Sequence, residues 1–188
     1  MKIAVIWSSP NTDGLTAAAK NQIIEGIKQY GTEIDEIHLN RCRIEHCKAC
    51  QDGWGTCRSQ GTCVLRDDFS DLYERLVQAD GIVFVSAVYW QDLTECFKAF
   101  LDRLRRCEAI HNHYLSEKRC LLVSCAGGTG NGTIECLQHL EYTLKHMGMR
   151  AYDRLPVLRY NKDYMLPMLK EAGRTYAERI EKGFDMWF

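Results

Sequence analysis

A short polar segment near the start of the chain carries the groups that bind a phosphate. The apolar run 2–7 gives way at Ser8 to the sequence SSPNTDGLT, which ends at Thr16 and leads into an amphipathic helix. Hydroxyls, an amide and the unpaired N–H groups of a helix N-terminus are neutral donors suited to a phosphate. The segment therefore predicts a phosphate-binding loop.

Two further loops contain groups that could hold a flat ring. Residues 86–92 include the neighbouring aromatic residues Tyr89 and Trp90, and residues 126–132 include four glycines. Aromatic side chains would contact the face of a ring, while bare backbone amides would reach its edge. Taken singly, each loop has an ordinary explanation in core packing or in a tight turn, so the prediction depends on the loops lying together.

Five of the ten cysteines crowd into the segment 41–66. Four of them follow the spacing C-x2-C-x6-C-x5-C, namely Cys47, Cys50, Cys57 and Cys63. Four thiolates satisfy either a tetrahedral zinc ion or an iron-sulfur cluster. An iron-sulfur site, a zinc site and free or redox-active thiols all stay open, and Cys42 is the expected spare. The remaining cysteines are expected in the core, namely Cys96, Cys107, Cys120, Cys125 and Cys136.

Strand and helix patterns alternate along the chain and would position these loops. Apolar runs predict strands at 2–7, 33–39, 81–85, 120–125 and 149–158. Amphipathic patterns predict helices that begin near 15, 68, 93, 132 and 163, the first and fourth ended by Gly31 and Gly148. We expect one α/β domain over 1–188, a doubly wound parallel sheet of order 2-1-3-4-5 with a cysteine-rich insert at 41–66. In that order the ligand crevice lies above strands 1, 3 and 4, where the three loops begin.

The composition of the chain argues against two classes of partner, nucleic acids and membranes. A formal net charge of −1 in 188 residues, without a run of like charge, argues against nucleic acid. No apolar stretch approaches the roughly 20 residues of a membrane span, and the first residues lack the layout of a signal peptide. We therefore predict a cytoplasmic protein without a membrane partner, whose cysteines are thiols, metal ligands or redox groups.

On these motifs the chain resembles the flavodoxin-like NAD(P)H-dependent FMN reductases over most of its length. The matching segments are SSPNTDGLT, the cysteine segment ending in CVLRDDF, AVYWQDLTECFKAFLDRLRR and CAGGTGNG. The resemblance implies that the FMN phosphate is held by Ser9, Asn11, Leu15 and Thr16. It implies that the isoalloxazine ring lies against Ala87, Val88, Tyr89 and Trp90, with its pyrimidine edge at Ala126, Gly127 and Gly128. Related iron-sulfur flavoproteins carry a compact cysteine motif in the same loop.

The function implied by the resemblance is an FMN-dependent oxidoreductase. Hydride would pass from NAD(P)H through FMN to a quinone, a free flavin or a similar small acceptor, and no side chain need be catalytic because the cofactor carries the chemistry. Two alternatives stay open: an iron-sulfur flavoprotein that transfers single electrons, and a non-enzymatic redox or metal sensor. A homodimer or higher homo-oligomer is expected, partly because the apolar tail 184–188 needs cover.

Several charged or imidazole side chains receive a structural interpretation. His111 and His113 are expected to be solvated or structural rather than metal ligands. Three arginines of one helix are interpreted as a charged face that pairs with Asp102 and Glu108, namely Arg103, Arg105 and Arg106.

Overall fold

A computed structural model describes residues 1–109 and 114–183 of the chain, in which strands and helices alternate. The strands are β1 (Lys2–Ser8), β2 (Glu33–His38), β3 (Gly81–Ala87), β4 (Arg119–Ala126) and β5 (Arg150–Leu158). The helices are α1 (Leu15–Gln29), α2 (Cys50–Gly53), α3 (Thr56–Gln60), α4 (Phe69–Gln78), α5 (Glu95–Glu108), α6 (Thr133–Lys145) and α7 (Lys162–Lys182). Within the described ranges, every helix is too short or too polar to cross a lipid bilayer.

The five strands form one parallel sheet in the order β2-β1-β3-β4-β5, which confirms the predicted topology. Ser8, Ser86 and Ser124 are aligned across the three central strands, and all three are fully buried. The central strands therefore end level with one another, so the loops that follow them emerge at the same edge. This edge is the place where doubly wound sheets bind ligands.

Each face of the sheet is covered by its own apolar cluster. On one face Ile82 and Phe84 pack with side chains of α4, α5 and α6. On the other face Val83 and Val85 pack with side chains of α1 and α7. Successive residues of a strand point to opposite faces, so a central strand covered on both sides must be apolar throughout. That requirement explains the uninterrupted apolar runs of the sequence.

Helices α1 and α7 touch through their backbones at two glycines. A Cβ atom on Gly26 would lie 1.8 Å from the carbonyl oxygen of Lys170, and one on Gly173 would lie 2.4 Å from that of Ile23. These distances leave no room for any side chain. The pair of glycines thus holds α7 directly against α1.

The predicted element boundaries need small corrections. Strand β3 continues two residues beyond Val85, and α5 begins at Glu95, so Leu93 precedes the helix. Leu39 belongs to a short 3-10 turn rather than to β2. The cysteine insert, expected as a polar loop, contains the short helices α2 and α3, neither of which has a buried residue.

Candidate functional site

The loop between β1 and α1 presents an uncapped helix N-terminus to the ligand edge. Gly14 is the N-cap of α1, no side chain of the described residues caps this end, and the first turn carries no acidic residue. The first N–H groups of a helix have no partner within the helix, and together with the helix dipole they attract an anion. The start of α1 is therefore electrostatically suited to a phosphate.

The side chains of this loop are arranged around that helix end. The Asn11 Oδ1 accepts a hydrogen bond from the Asp13 N–H at 3.2 Å, and the Ser9 Oγ accepts one from the Asn11 N–H at 3.2 Å. The Asn11 amide also packs on Gly14, where an added Cβ would lie 2.9 Å from the Asn11 Nδ2. A side chain at position 14 would therefore displace the Asn11 amide from the helix end.

A buried layer supports the loop from below. The Ser8 hydroxyl hydrogen-bonds with that of Thr94, and the His38 Nε2 lies 2.9 Å from the Ser9 carbonyl oxygen. The His38 ring stacks on Trp7 with a centroid separation of 3.7 Å. These contacts fix the backbone of Ser9 before a ligand arrives.

The two predicted phosphate residues on α1 differ in exposure. Thr16 is buried and its hydroxyl faces the Cys125 thiol of β4, whose pKa burial raises to about 12. Leu15 is partly buried and packs against the apolar cluster on the α1 side of the sheet. The start of α1 is thus anchored to the end of β4.

The aromatic loop after β3 is a tight turn that holds one ring out in solvent. Tyr89 and Asp92 exchange backbone hydrogen bonds of 2.8 and 3.0 Å, and the two residues between them, Trp90 and Gln91, have φ angles of 50° and 68°. Positive φ at both central positions is unusual for side chains other than glycine, asparagine or aspartate. Trp90 is 99% exposed and Tyr89 is 46% exposed, so both rings are available to a ligand.

The glycine loop after β4 lies beside the aromatic loop. A Cβ on Gly132 would lie 2.5 Å from the Gln91 Cα, so this glycine is required by the close approach of the two loops. At Gly127 and Gly128, by contrast, an added Cβ would meet open space and φ is not positive. The protein's own packing therefore does not explain these two glycines, whereas the approach of a ligand to the bare backbone would.

The structure places every predicted flavin-site residue at one edge of the sheet. Val88 begins the aromatic loop and donates its N–H to the Cys125 carbonyl oxygen at 2.9 Å, which ties that loop to β4. Ala87 and Ala126 are the last residues of β3 and β4. The set formed by the three loops is Ser9, Asn11, Leu15, Thr16, Ala87, Val88, Tyr89, Trp90, Ala126, Gly127 and Gly128. Their contacts with a ligand stay a prediction.

The four cysteines of the C-x2-C-x6-C-x5-C motif line a single cavity. Cys47, Cys50, Cys57 and Cys63, together with Cys107, line a narrow space between the insert and α5, which leaves about 20 Å³ to the centres of water-sized molecules. Burial, followed by the nearby Cys63 and Cys57, raises the pKa of Cys107 to about 12. Cys42 lies outside the lining and donates its thiol to the His38 carbonyl oxygen at 3.3 Å.

The thiols that line this cavity do not converge on one point. Within 1–109 and 114–183, no three His, Cys, Asp or Glu side chains stand close enough together to hold one metal ion. Cys50 lies between Ala49 and Gln51, two non-glycine residues with positive φ. Such strained residues persist only where the surroundings impose them, and they are frequent at ligand sites. Whether the cysteines bind a metal stays a prediction.

Arg103 is a buried structural side chain, whereas the sequence interpretation placed it on a charged face of the helix. It is 1% exposed and makes hydrogen bonds of 2.6 and 2.8 Å to the Asp67 carboxylate and 3.0 Å to the Glu45 carbonyl oxygen. The expected partners are engaged elsewhere, because Asp102 pairs with Lys98 and Glu108 binds the Tyr73 hydroxyl. Arg103 therefore ties both ends of the cysteine insert to α5, since Glu45 and Asp67 lie on either side of the motif.

A second cleft separates the cysteine cavity from the three loops. It leaves about 290 Å³ to the centres of water-sized molecules, and its lining includes Pro10, His46, Tyr89 and Cys96. Cys96 is therefore only partly buried, in contrast to the expected core position, and its thiol lies 3.1 Å from the Ser8 hydroxyl. The other four cysteines expected in the core are buried. His111, His113 and the tail 184–188 lie outside the described residues.

Known proteins resemble this chain in sequence and in fold. A sequence model described as NADPH-dependent FMN reductase matches residues 1–159. An iron-sulfur flavoprotein of Methanosarcina thermophila is 32% identical over 156 residues, covering 79% of this chain and 75% of that protein. An iron-sulfur flavoprotein of Archaeoglobus fulgidus is 30% identical over 104 residues, covering 55% of this chain and 46% of that protein, so the match spans less than half of that relative.

The fold itself is similar to that of solved flavodoxins. A flavodoxin from the domain Archaea superposes with a TM-score of 0.65 at 17% identity, covering 96% of this chain and 99% of that structure. At this level of identity the likeness concerns the architecture alone. It agrees with the strand order observed here.

Proposed function

The chain belongs to the NADPH-dependent FMN reductase family, and on that premise we propose that it passes hydride from NAD(P)H through FMN to a quinone, a free flavin or a similar small acceptor. FMN is its cofactor and it is an oxidoreductase; the acceptor and the contacts of individual residues are the proposal. The observation that carries it is the uncapped start of α1 beside two glycines, Gly127 and Gly128, that the packing of the protein does not require.

The residues at the strand ends fit a flavin with a terminal monophosphate. The N–H groups at the start of α1, with Ser9, Asn11 and Thr16, would hold the phosphate without a cation, since a helix N-terminus and hydroxyls suffice. Among the described residues no acidic side chain lies in the first turn of α1, and the one carboxylate of the loop is that of Asp13, directly before the N-cap Gly14. FMN rather than FAD is expected, because the chemistry of the loop suits a terminal phosphate.

The other two loops would hold the ring. Ala87 and Val88 would border the ring at the end of β3, while Tyr89 and Trp90 provide aromatic faces. The backbone N–H groups at Ala126, Gly127 and Gly128 would donate to the pyrimidine edge, where negative charge gathers on reduction. When bound, FMN supplies the hydride and electron transfer. The protein binds the ring, orients it and leaves one face open, so no side chain is required as an acid or a base.

Rapid mixing of the FMN-loaded protein tests this function. NADH or NADPH should bleach the visible absorbance of the flavin, and an added quinone should restore it. If both substrates use the same open face, steady-state rates should follow ping-pong kinetics. Retention of FAD in preference to FMN, or a productive ternary complex with both substrates, would contradict the proposal.

The cysteine cavity favours a second redox group and therefore a second candidate function. Four thiols line one space, but among the described residues no three of them converge on the position of one metal ion, which suits a cluster of several iron atoms better than a single zinc ion. We propose that Cys47, Cys50, Cys57 and Cys63 hold an iron-sulfur cluster, which would supply one-electron transfer when bound. Single electrons would then pass between the cluster and FMN within one protein, which would be an iron-sulfur flavoprotein.

Analysis of anaerobically purified protein distinguishes these possibilities. Iron and acid-labile sulfide in equal amounts would support the cluster, whereas zinc without sulfide would support a structural metal. Less than about a tenth of an equivalent of either metal, with all thiols titrating, would leave the cysteines as free or redox thiols. A protein that binds a metal but does not oxidise NAD(P)H would instead be a sensor.

Assembly and location remain proposals as well. We propose a cytoplasmic homodimer or higher homo-oligomer, and the assembly agrees with exposed aromatic side chains near the ligand edge, such as Trp90, Tyr160 and Tyr164. Light scattering of the FMN-loaded protein would determine the oligomeric state, and a monomer would contradict this proposal.

A further inference from the structure

Three cationic side chains line the cysteine cavity, and they differ in how their charge is used. Lys48 is an exposed residue whose Nζ lies 3.3 Å from the Glu45 carboxylate. Arg103 is buried and forms a bidentate ion pair with Asp67. Both charges are thus balanced by a carboxylate within the insert or at its end.

Arg106 is the exception. Its guanidinium donates a hydrogen bond to the Gly53 carbonyl oxygen and lies over the Trp54 ring, 4.8 Å from the ring centroid. Within the residues that the structure describes, it forms no ion pair with a carboxylate. Its positive charge therefore remains uncompensated at the wall of the cavity.

The contacts of Arg106 with Gly53 and Trp54 determine where its guanidinium lies. Gly53 and Trp54 belong to the segment between Cys50 and Cys57, so the guanidinium is bound to the part of the chain that carries the cysteine motif. The planar guanidinium suits this arrangement, because it can stack on an aromatic ring and donate a hydrogen bond at the same time.

An occupant with several thiolate ligands would bring excess negative charge into this partly enclosed space. Buried charge is costly unless a group of opposite charge lies close to it. Arg103 also lies near Cys63, but its charge is already balanced by Asp67, and that of Lys48 by Glu45. Arg106 is therefore the cation of the lining without a carboxylate partner among the described residues. Positive charge near a cluster also favours its reduced form, which carries one more electron.

We propose that Arg106 is the counter-charge of the cysteine cavity and raises the reduction potential of the iron-sulfur cluster held there. This inference rests on the proposed cluster and assigns to Arg106 a positioning and electrostatic role, because it touches the insert rather than a substrate. The electron taken up by the cluster comes from reduced FMN, which NAD(P)H regenerates in the proposed function.

The variants Arg106→Gln and Arg106→Lys test the role of this charge, with Arg105→Gln as a matched control. Arg105 is the preceding residue of α5 and does not line the cavity. Each protein is purified anaerobically, its iron and sulfide are measured, and the midpoint potential of the cluster is determined by a dye-mediated titration followed by electron paramagnetic resonance. The midpoint potential depends on local charge, and Arg106→Lys keeps the charge but not the planar guanidinium contacts, so the two variants separate an effect of charge from a structural one.

The expected result is a more negative midpoint potential in Arg106→Gln, with values close to wild type in Arg106→Lys and Arg105→Gln. Loss of the cluster from Arg106→Gln but not from Arg106→Lys would also support the counter-charge. An unchanged potential in Arg106→Gln, or loss of the cluster from both Arg106 variants, would overturn the inference. Absence of iron and sulfide from the wild-type protein would overturn the cluster proposal itself and this inference with it, so the two failures are distinguishable.

Discussion

The ligand edge of the sheet and the cysteine insert are held in place by different kinds of interaction. At the ligand edge, loops leave strands whose last residues are aligned by backbone hydrogen bonds, as the row of Ser8, Ser86 and Ser124 shows. The insert contains two helices of four and five residues without buried side chains, and a buried ion pair ties it to α5. A site built on strand ends is placed by the sheet itself, whereas the insert depends on a few side chains and, as proposed, on its cluster.

The two regions share one property, which is backbone strain. Of the five non-glycine residues with positive φ in the described part of the chain, Ala49 and Gln51 lie in the insert and Trp90 and Gln91 in the aromatic loop. Strain of this kind costs of order 1–3 kcal/mol per residue and must be imposed by the surroundings. In both regions the folded state therefore carries a free-energy cost of backbone strain that binding of a ligand could offset.

The largest effect is expected from Arg103→Met, which should disturb the cysteine insert and leave the ligand edge intact. Arg103→Met leaves the Asp67 carboxylate buried without its partner, and removal of one member of a buried pair typically costs about 3–5 kcal/mol. We expect the free energy of unfolding to fall by that amount and the cluster to be lost. FMN should still bind, because the strand ends are unchanged; urea unfolding, iron analysis and FMN titration measure the three effects. Equal loss of FMN and iron would show that the two regions are not independent.

The next effect concerns the ligand edge alone. Thr16→Ala should weaken FMN binding by about 1.5–3 kcal/mol, the usual contribution of a hydrogen bond to a charged group. Fluorescence titration at fixed salt measures the dissociation constant, and iron content should not change. Thr175→Ala, on the exposed surface of α7, is the matched control. A dissociation constant equal to that of the control would remove Thr16 from the phosphate site.

The ion pair between Glu141 and Arg154 lies outside both regions. Its removal shows what a loss of stability alone does to cluster and FMN content. Hydrogen bonds from Arg154 lower the pKa of Glu141 to about 2, so this pair stabilises the fold above pH 4.5 and loses its effect as the pH falls towards 2. Because Arg154 is 45% exposed, Glu141→Gln should cost only about 1–2 kcal/mol at pH 7. Unfolding measured between pH 7 and pH 2 should show the difference from wild type disappearing, while cluster and FMN content stay normal. A constant difference at all pH values would exclude this charge effect.

The smallest effect on stability is expected at the most exposed aromatic residue. Trp90 is 99% exposed, and surface substitutions usually change the free energy of unfolding by less than about 0.5 kcal/mol. Trp90→Ala should therefore unfold like wild type while its turnover with NAD(P)H and a quinone changes. If stability fell and turnover did not, Trp90 would belong to the packing of the aromatic loop rather than to the ligand site.

The difference between the two regions also explains how much the sequence could predict. The five strands, their order and the three loops follow from apolar runs and turn residues, because local patterns determine a sheet covered on both faces. The role of Arg103 does not follow in this way, since Asp67 and Glu45 are distant in the chain. A signal was nevertheless present: Arg103 falls on the apolar face of α5 with Phe100, Leu104 and Cys107. An arginine at such a position requires a buried acidic partner.

Other features could not be read from local patterns at all. The cysteine spacing indicates a shared site, but the shape of the cavity depends on how the insert packs against α5. The solvent position of Trp90 depends on two positive φ angles in a turn whose sequence, Trp-Gln, is atypical for such angles. In both cases contacts between distant segments override the local preference.

The glycine contact between α1 and α7 has a consequence for the order of synthesis. The helix α1, at whose start we expect the phosphate, precedes α7 by more than a hundred residues in the chain, and α7 is the last described helix. Until α7 packs against Gly26 and places Gly173 on the Ile23 carbonyl oxygen, the outer side of α1 lacks its backbone contact with α7. Contacts between distant segments form late because the intervening chain must be closed into a loop. The helix α1 therefore gains its tertiary support only after the segment that forms α7 has been synthesised.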